Sequence, residues 1–485
     1  MSGEEKPLID LGPGHAWAYP RGVDDAYSRL IRFISNLTLA EFTTVIRLLE
    51  EGLPNKQDRV QLRACLNSLQ KLPPKIVNRV LTHPLWIYWV RSTGQIICAM
   101  NAKIPVASQW RGHLHPDTSS AAECLRSTAA MLSQLVLACH IVAGHEVEIE
   151  IQTIRDRYLA LPGTGLSYVL PGGFKNDRAF VTVSGYSGST NTFQMHLRAN
   201  GGFVDRVLFS LTGELVEPVR DSDEEPINWL RVVKSSGGAL EIDNRDNRYL
   251  SNWVKCEAYP EGTQVDPVPD SVVPAWCEDV PAALHVLGEC LPLMQAEISS
   301  LIRSLVPVMS SNLDHSVSCS TRDFLGAVQL SAHPGIALAE VLVHEYRHNI
   351  LNAIIDVDPI LDESSPRRAA FYSPWRKDPR PLMGLIHGIY SFMEVVGFYE
   401  SYLGHYGSEA PQAALAEERI VTNSYRLKIA VADFTHYAKL TRFGVELLDG
   451  IQQRVEQFQR HAECLNAALW KSVVHQVDQE RRSAC

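Results

Sequence analysis

Residues 337–355 read ALAEVLVHEYRHNILNAII, and the fold of the chain is read outward from this stretch. Apolar residues recur through it at intervals of three and four, and Pro334–Gly335 stands before it, so the spacing predicts a helix. Inside it, His344-Glu345-Tyr346-Arg347-His348 forms an HExxH motif. Two imidazoles at i and i+4 share one helix face, one turn apart, and both can ligate one divalent ion. Chance supplies about 0.04 such motifs in a chain of this composition, so the match is informative without being decisive.

HExxH by default marks a zinc peptidase in which the glutamate, here Glu345, is the general base on metal-bound water. Three details weaken that default. A metzincin extension needs Gly at 351 and His at 354, and the chain has Leu351 and Ile354. Arg347 puts a charge between Glu345 and His348, where uncharged residues are usual. The chain also lacks the apparatus of a secreted protease.

A third ligand has to come from elsewhere. Asp378-Pro379-Arg380-Pro381 reads as an N-cap acid with Pro at the first helical position, followed by the apolar run LMGLIHGIYSFMEVVGFYESYL. His387, Tyr390, Ser391 and Glu394 form one polar stripe on this helix, and a buried polar stripe needs partners. A metal would provide them, which makes His387 and Glu394 the candidate third ligands. Between the two helices, Arg376 and Arg380 lie close in sequence to Tyr372 and Trp375. They suit a carboxylate clamp, because the guanidinium fork binds carboxylate in bidentate fashion. An ordinary surface loop with ion pairs to Asp358, Asp362 or Asp378 fits the same residues.

The rest of the chain frames this region. Residues 1–160 read as mainly helical, with 24–53 periodic throughout and a second long helix at 119–143 after a loop at His115–Pro116. Residues 161–275 are rich in Gly, Ser, Thr and Asn, with alternating runs at 179–185 and 192–199 and a hairpin signal at Asn200–Gly201–Gly202. The acidic run 221–226 reads as a solvated loop. Residues 276–485 return to helix, interrupted by a strand candidate at 316–330. The fold class is therefore α+β and predominantly helical, with a helical N-terminal part, a β-rich middle and a helical metal-binding C-terminal part.

Net charge is −10 over 485 residues, which disfavours nucleic acid as a partner. The ten cysteines show no metal-ligand spacing and read as reduced thiols of a cytoplasmic protein. No signal peptide is expected. The apolar stretch 127–145 carries Ser133, Gln134 and His140, and a buried helix suits it better than a membrane span. The amphipathic C-terminal helices suit either packing on the same body or a homodimer interface.

Several stretches together resemble one family: the strand region 316–331, LAEVLVHEYRHNILNAIID, YSPWRKDPRPLMGLIHGIYSFMEV and LTRFGVELL. They are similar to the HExxH-domain proteins of bacterial peptide natural-product clusters, which include 2-oxoglutarate-dependent peptide β-hydroxylases. The resemblance covers about residues 310 to 450 and rests on HExxH combined with YSPWRKDPRP and GLIHG. It implies Fe(II), held by His344, His348 and His387, with Glu394 as competitor for the third place. A three-histidine set departs from the usual two-histidine, one-carboxylate triad. The resemblance further implies 2-oxoglutarate and O2 as co-substrates, with Arg376 or Arg380 on the distal carboxylate and Tyr372 beside them. The substrate implied is a ribosomally made precursor peptide hydroxylated at a Cβ, with the β-rich part as one place where it adds as a strand. Glu345, about 100° around the helix from His344, would orient the site rather than act as a base. A zinc peptidase and a non-catalytic peptide-binding protein are the two alternatives.

Overall fold

The computed structural model describes residues 9–20, 24–103, 121–152, 158–169, 178–185, 191–199, 202–212, 215–219, 230–235, 238–245, 265–310, 316–366, 370–376 and 378–484. The loop at His115–Pro116, the turn residues Asn200–Gly201 and the acidic run 221–226 lie outside them. The chain is a predominantly helical α+β protein with a β-rich middle.

The N-terminal half contributes helices α1 (Asp25–Gly52), α2 (Lys56–Leu69), α3 (Pro74–Leu81), α4 (Pro84–Asn101), α5 (Ala121–Ala130) and α6 (Leu132–Ala143). Strand β1 (Val147–Gln152) follows, then a two-stranded hairpin of β2 (Tyr158–Leu161) and β3 (Leu166–Val169). Next come β4 (Arg178–Gly185), β5 (Thr192–Ala199), β6 (Gly202–Thr212) and β7 (Leu215–Pro218). These form an antiparallel sheet in the order β1-β4-β5-β6-β7, with the β5–β6 pair meeting at Ala199 and Gly202 as the hairpin signal predicts. Alternation sets its inner face: Val181, Val183, Met195 and Leu197 are buried, with Val183 opposite Met195 and Val181 opposite Leu197, while Phe180 stands half exposed. That face shares a core with Leu135, Val136 and Cys139 of α6. Helix α6 is apolar all round because it is covered all round. The window 124–143 is long and apolar enough to cross a membrane, as is 382–406, and most of each is buried inside the protein.

A second sheet supports the HExxH helix. It contains β8 (Arg231–Ser235), β9 (Gly238–Ile242), β10 (Val265–Pro267), β11 (Ser304–Ser310), β12 (Ser318–Cys319) and β13 (Ala327–Leu330) in the order β12-β13-β11-β9-β8, with β10 on β11. The sequence reading placed strands at 316–330 and missed β11, which lies parallel to both β9 and β13. Residues 304–308 and the whole of β13 are buried, as parallel strands covered on both faces require. Helices α7 (Val273–Cys290) and α8 (Pro292–Leu301) precede β11, and α9 (Ile336–Val357) follows β13. Asn349 joins sheet to helix: its Oδ1 accepts from Gly326 N at 2.7 Å, one residue past the motif.

Helices α10 (Leu382–Tyr406), α11 (Ala413–Tyr437), α12 (Arg442–Leu465) and α13 (Ala467–Ala484) complete the fold. The hydrophobic cores cross the texture changes at 160 and 275. One core joins the N-terminal helices to the five-stranded sheet, and another joins residues 11–34 and β9 to α9–α13. A buried pair, His83 Nε2 to Glu241 Oε2 at 2.9 Å, ties α4 to β9.

The segment Gly14–Ala18 is a single 3-10 turn laid against α12, with Tyr390 of α10 bonded to its Trp17 carbonyl. A Cβ on Gly450 of α12 would stand 2.5 Å from the His15 carbonyl oxygen and 3.1 Å from Ala18 Cβ, so only glycine allows this approach. Gly450→Ala is expected to cost about 1–3 kcal/mol, since a backbone oxygen cannot move aside as a side chain does. Urea unfolding measures it, and an unchanged midpoint would contradict the packing described.

Candidate metal centre

Helix α9 presents its motif as the spacing requires. His344 and His348 are half-buried, their rings nearly perpendicular at 4.6 Å, and their Nε2 atoms are 3.0 Å apart. Two nitrogens bound cis to one ion at the usual metal–nitrogen distance of about 2.1 Å are separated by about 3.0 Å, so the pair is spaced to share an ion. His387 of α10 reaches the other nitrogen of His348, Nδ1 to Nδ1 at 3.1 Å. Burial pushes His344 and His387 down to about 4, and His348 lies well below the ordinary imidazole range from burial and then from its two imidazole neighbours. All three rings are therefore neutral near pH 7, the state that offers a lone pair. The residues present fit a divalent transition metal.

An aromatic stack braces this cluster. Phe392 meets His344 edge-on at 4.7 Å, and Trp375 lies flat on Phe392 at 4.7 Å with an interplanar angle of 4°. The indole Nε1 donates to Asn423 Oδ1 at 3.1 Å. Gly388 makes room for it, because a Cβ there would be 3.2 Å from the Trp375 ring. The loop 371–380 is thus pinned beside the histidines, and two backbone hydrogen bonds between Phe371 and Arg380 close its base.

Glu345 departs from the expectation. Its carboxylate does not swing clear of the histidines: a carboxylate oxygen and the ligand nitrogens of His344 and His348 all lie within 4.8 Å of one another. The side chain is buried, and Oε2 accepts from Ser320 Oγ at 2.7 Å, just beyond β12. The offset around the helix fixes where the Cα–Cβ bond starts, and the two further torsions carry the carboxylate back.

The polar stripe on α10 divides. His387 joins the motif histidines, while Tyr390 Oη donates to the Trp17 carbonyl at 2.7 Å and Ser391 to its own helix. Glu394 is fully buried and engaged on both oxygens by Arg454 of α12, at 2.7 and 3.0 Å, with Arg347 Nε at 3.7 Å. Burial alone would push this carboxyl up; Arg454 and then Arg347 hold it below its usual range. Of the two third-ligand candidates, His387 is the one beside the motif. Arg347, the charge that seemed out of place in the motif, turns to the opposite side. It lies 4.1 Å over the Tyr390 ring and donates to the Trp17 carbonyl at 3.0 Å.

Of the two readings of the arginine loop, the structure shows the ion pairs to Asp378. Asp378 does not cap α10, whose N-cap is Pro381 with no side-chain cap. Its carboxylate instead lies between the two arginines, Oδ1 at 2.8 Å from Arg376 Nε and Oδ2 at 3.2 Å from Arg380 Nη1. Arg380 also contributes to depressing both His348 and His387, so its charge is felt at these histidines. Tyr372 has a different neighbour, the Arg481 guanidinium of α13, 6.0 Å over its ring.

Sequence reasoning missed Ser320 and Arg454. Ser320 carries no signal of its own. Arg454 does, because it lies on the same α12 face as Leu447, Leu448, Ile451, Val455 and Phe458, where a charge must have a buried partner. No family model matches the chain, and no curated protein matches it.

Proposed function

We propose that the protein is a non-haem Fe(II)- and 2-oxoglutarate-dependent dioxygenase that hydroxylates a Cβ in a ribosomally made precursor peptide. The observation that carries this reading is three adjacent imidazoles, His344, His348 and His387, on the two helices that the loop with Arg376 and Arg380 connects. The resemblance of residues 310–450 to HExxH-domain peptide hydroxylases supplies the reaction class. When bound, iron and 2-oxoglutarate with O2 supply the oxidising chemistry, coupling decarboxylation of the keto acid to hydroxylation.

The chain's own residues have separate tasks. His344 and His348 hold the metal through Nε2, and His387, whose Nδ1 lies 3.1 Å from Nδ1 of His348, is the candidate for the third place. Arg376 and Arg380 bind the distal carboxylate of the co-substrate. Trp375 and Phe392 keep water from one side of the cluster and fix the His344 ring. Glu345, held by Ser320, orients the site and any water in it. The eight described cysteines are thiols rather than disulfides, in keeping with a cytoplasmic enzyme. Neither nucleic acid nor membrane is a partner in this reading.

The position of the Glu345 carboxylate favours a second reading, a zinc peptidase with Glu345 as base on metal-bound water. Glu345→Gln separates the two. A hydroxylase variant retains iron-dependent turnover of 2-oxoglutarate to succinate, whereas a peptidase loses cleavage by several orders of magnitude. Succinate formation and peptide mass, followed for both proteins with iron and with zinc, give the answer. Cleaved peptide from the native protein with zinc, and none from the variant, would sink the dioxygenase reading.

A further inference from the structure

We propose that Asp378 is a resident stand-in for the ligand carboxylate: it occupies the Arg376–Arg380 fork and must leave when a diffusible carboxylate arrives. The proposal rests on the reading of that fork as the co-substrate clamp.

Three observations carry it. The Asp378 carboxylate bridges both guanidinium groups, one oxygen to each, at 2.8 and 3.2 Å. That is the arrangement a ligand carboxylate would adopt with two arginines. The side chain of Asp378 is 51% exposed while those of Arg376 and Arg380 are 24% and 19% exposed, so the seat is recessed and its occupant faces solvent. Asp378 is also free of the helix-capping duty that its place before α10 predicts, so its departure would uncap nothing.

The physical consequence is competition. A tethered carboxylate is present at an effective concentration on the order of millimolar, and the fork is open to a ligand only for the fraction of time Asp378 is away. Each partner is an exposed or half-exposed ion pair, weak enough to exchange readily.

The test is direct binding of 2-oxoglutarate to metal-free protein, read by equilibrium dialysis, with succinate as a second probe. Asp378→Ala is expected to bind either acid about three- to ten-fold more tightly than the native chain. Asp378→Asn, which keeps the shape and loses the charge, falls between the two. Arg380→Gln is expected to lose the binding. If Asp378→Ala binds as the native chain does, or more weakly, while Arg380→Gln abolishes binding, the stand-in role is overturned and the clamp remains. If 2-oxoglutarate binds none of these proteins, with or without iron, the clamp and the stand-in role are both overturned.

Discussion

His344→Ala and His348→Ala are each expected to lower the affinity for divalent metal by more than about a hundredfold, because each removes one imidazole of the proposed site. Isothermal titration with Fe(II) under argon measures the loss. The expectation follows from the 3.0 Å separation of the two Nε2 atoms, which is the span of two cis ligands on one ion. His387→Ala is the informative companion. If His387 is a ligand, its loss matches that of the motif histidines; if it only orients His348 through the 3.1 Å contact, the loss is about ten- to a hundredfold. The folded state should survive all three changes, since the rings are half-buried at the edge of the core rather than within it. Retained metal affinity in His344→Ala would remove the HExxH motif from consideration as a metal site.

The second large effect concerns stability. Arg454→Ala leaves the Glu394 carboxylate fully buried with Arg347 as its remaining cationic neighbour, and takes a donor from the Ala18 carbonyl. Breaking a buried pair from one side costs about 3–5 kcal/mol, because the surviving charge has lost its solvation and then its partner. Urea unfolding should show this loss. The double change Arg454→Met with Glu394→Met removes this pair at similar volume but also takes a carboxylate neighbour from buried Arg347, so it is expected to recover only part of the loss. A single variant as stable as the native chain would mean that the network holding residues 14–18 against α10 and α12 contributes nothing.

The two experiments bear on different parts of what the amino-acid sequence discloses. Local periodicity carries far: the helix around 337–355, the apolar helix after Pro381, the hairpin at 199–202 and the β-rich texture of the middle all follow from spacing and turn chemistry. The i, i+4 geometry that brings His344 to His348 is a property of any helix and needs no tertiary knowledge. What spacing does not contain is partner choice between elements. His387 and Glu394 lie two turns apart on the same stripe, and only the packing of α10 against α9 and α12 sends one to the histidines and the other to Arg454. At short range the sequence offers Asp378 two roles, a helix cap before Pro379 and an ion-pair partner of the loop arginines, and the second prevails because two guanidinium groups are stronger partners for a carboxylate than a single backbone N–H. β11 escaped notice because a buried strand in a parallel arrangement has no alternation to reveal it.

Whether these histidines and arginines together hold iron and a keto acid is read in one anaerobic experiment: Fe(II) and 2-oxoglutarate are added to metal-free protein, and the visible spectrum is recorded. The expected result is the charge-transfer band of a chelated keto acid, absent in His344→Ala and weakened by Arg380→Gln at limiting 2-oxoglutarate. Absence of the band, with zinc retained stoichiometrically and unaffected by 2-oxoglutarate, would contradict it.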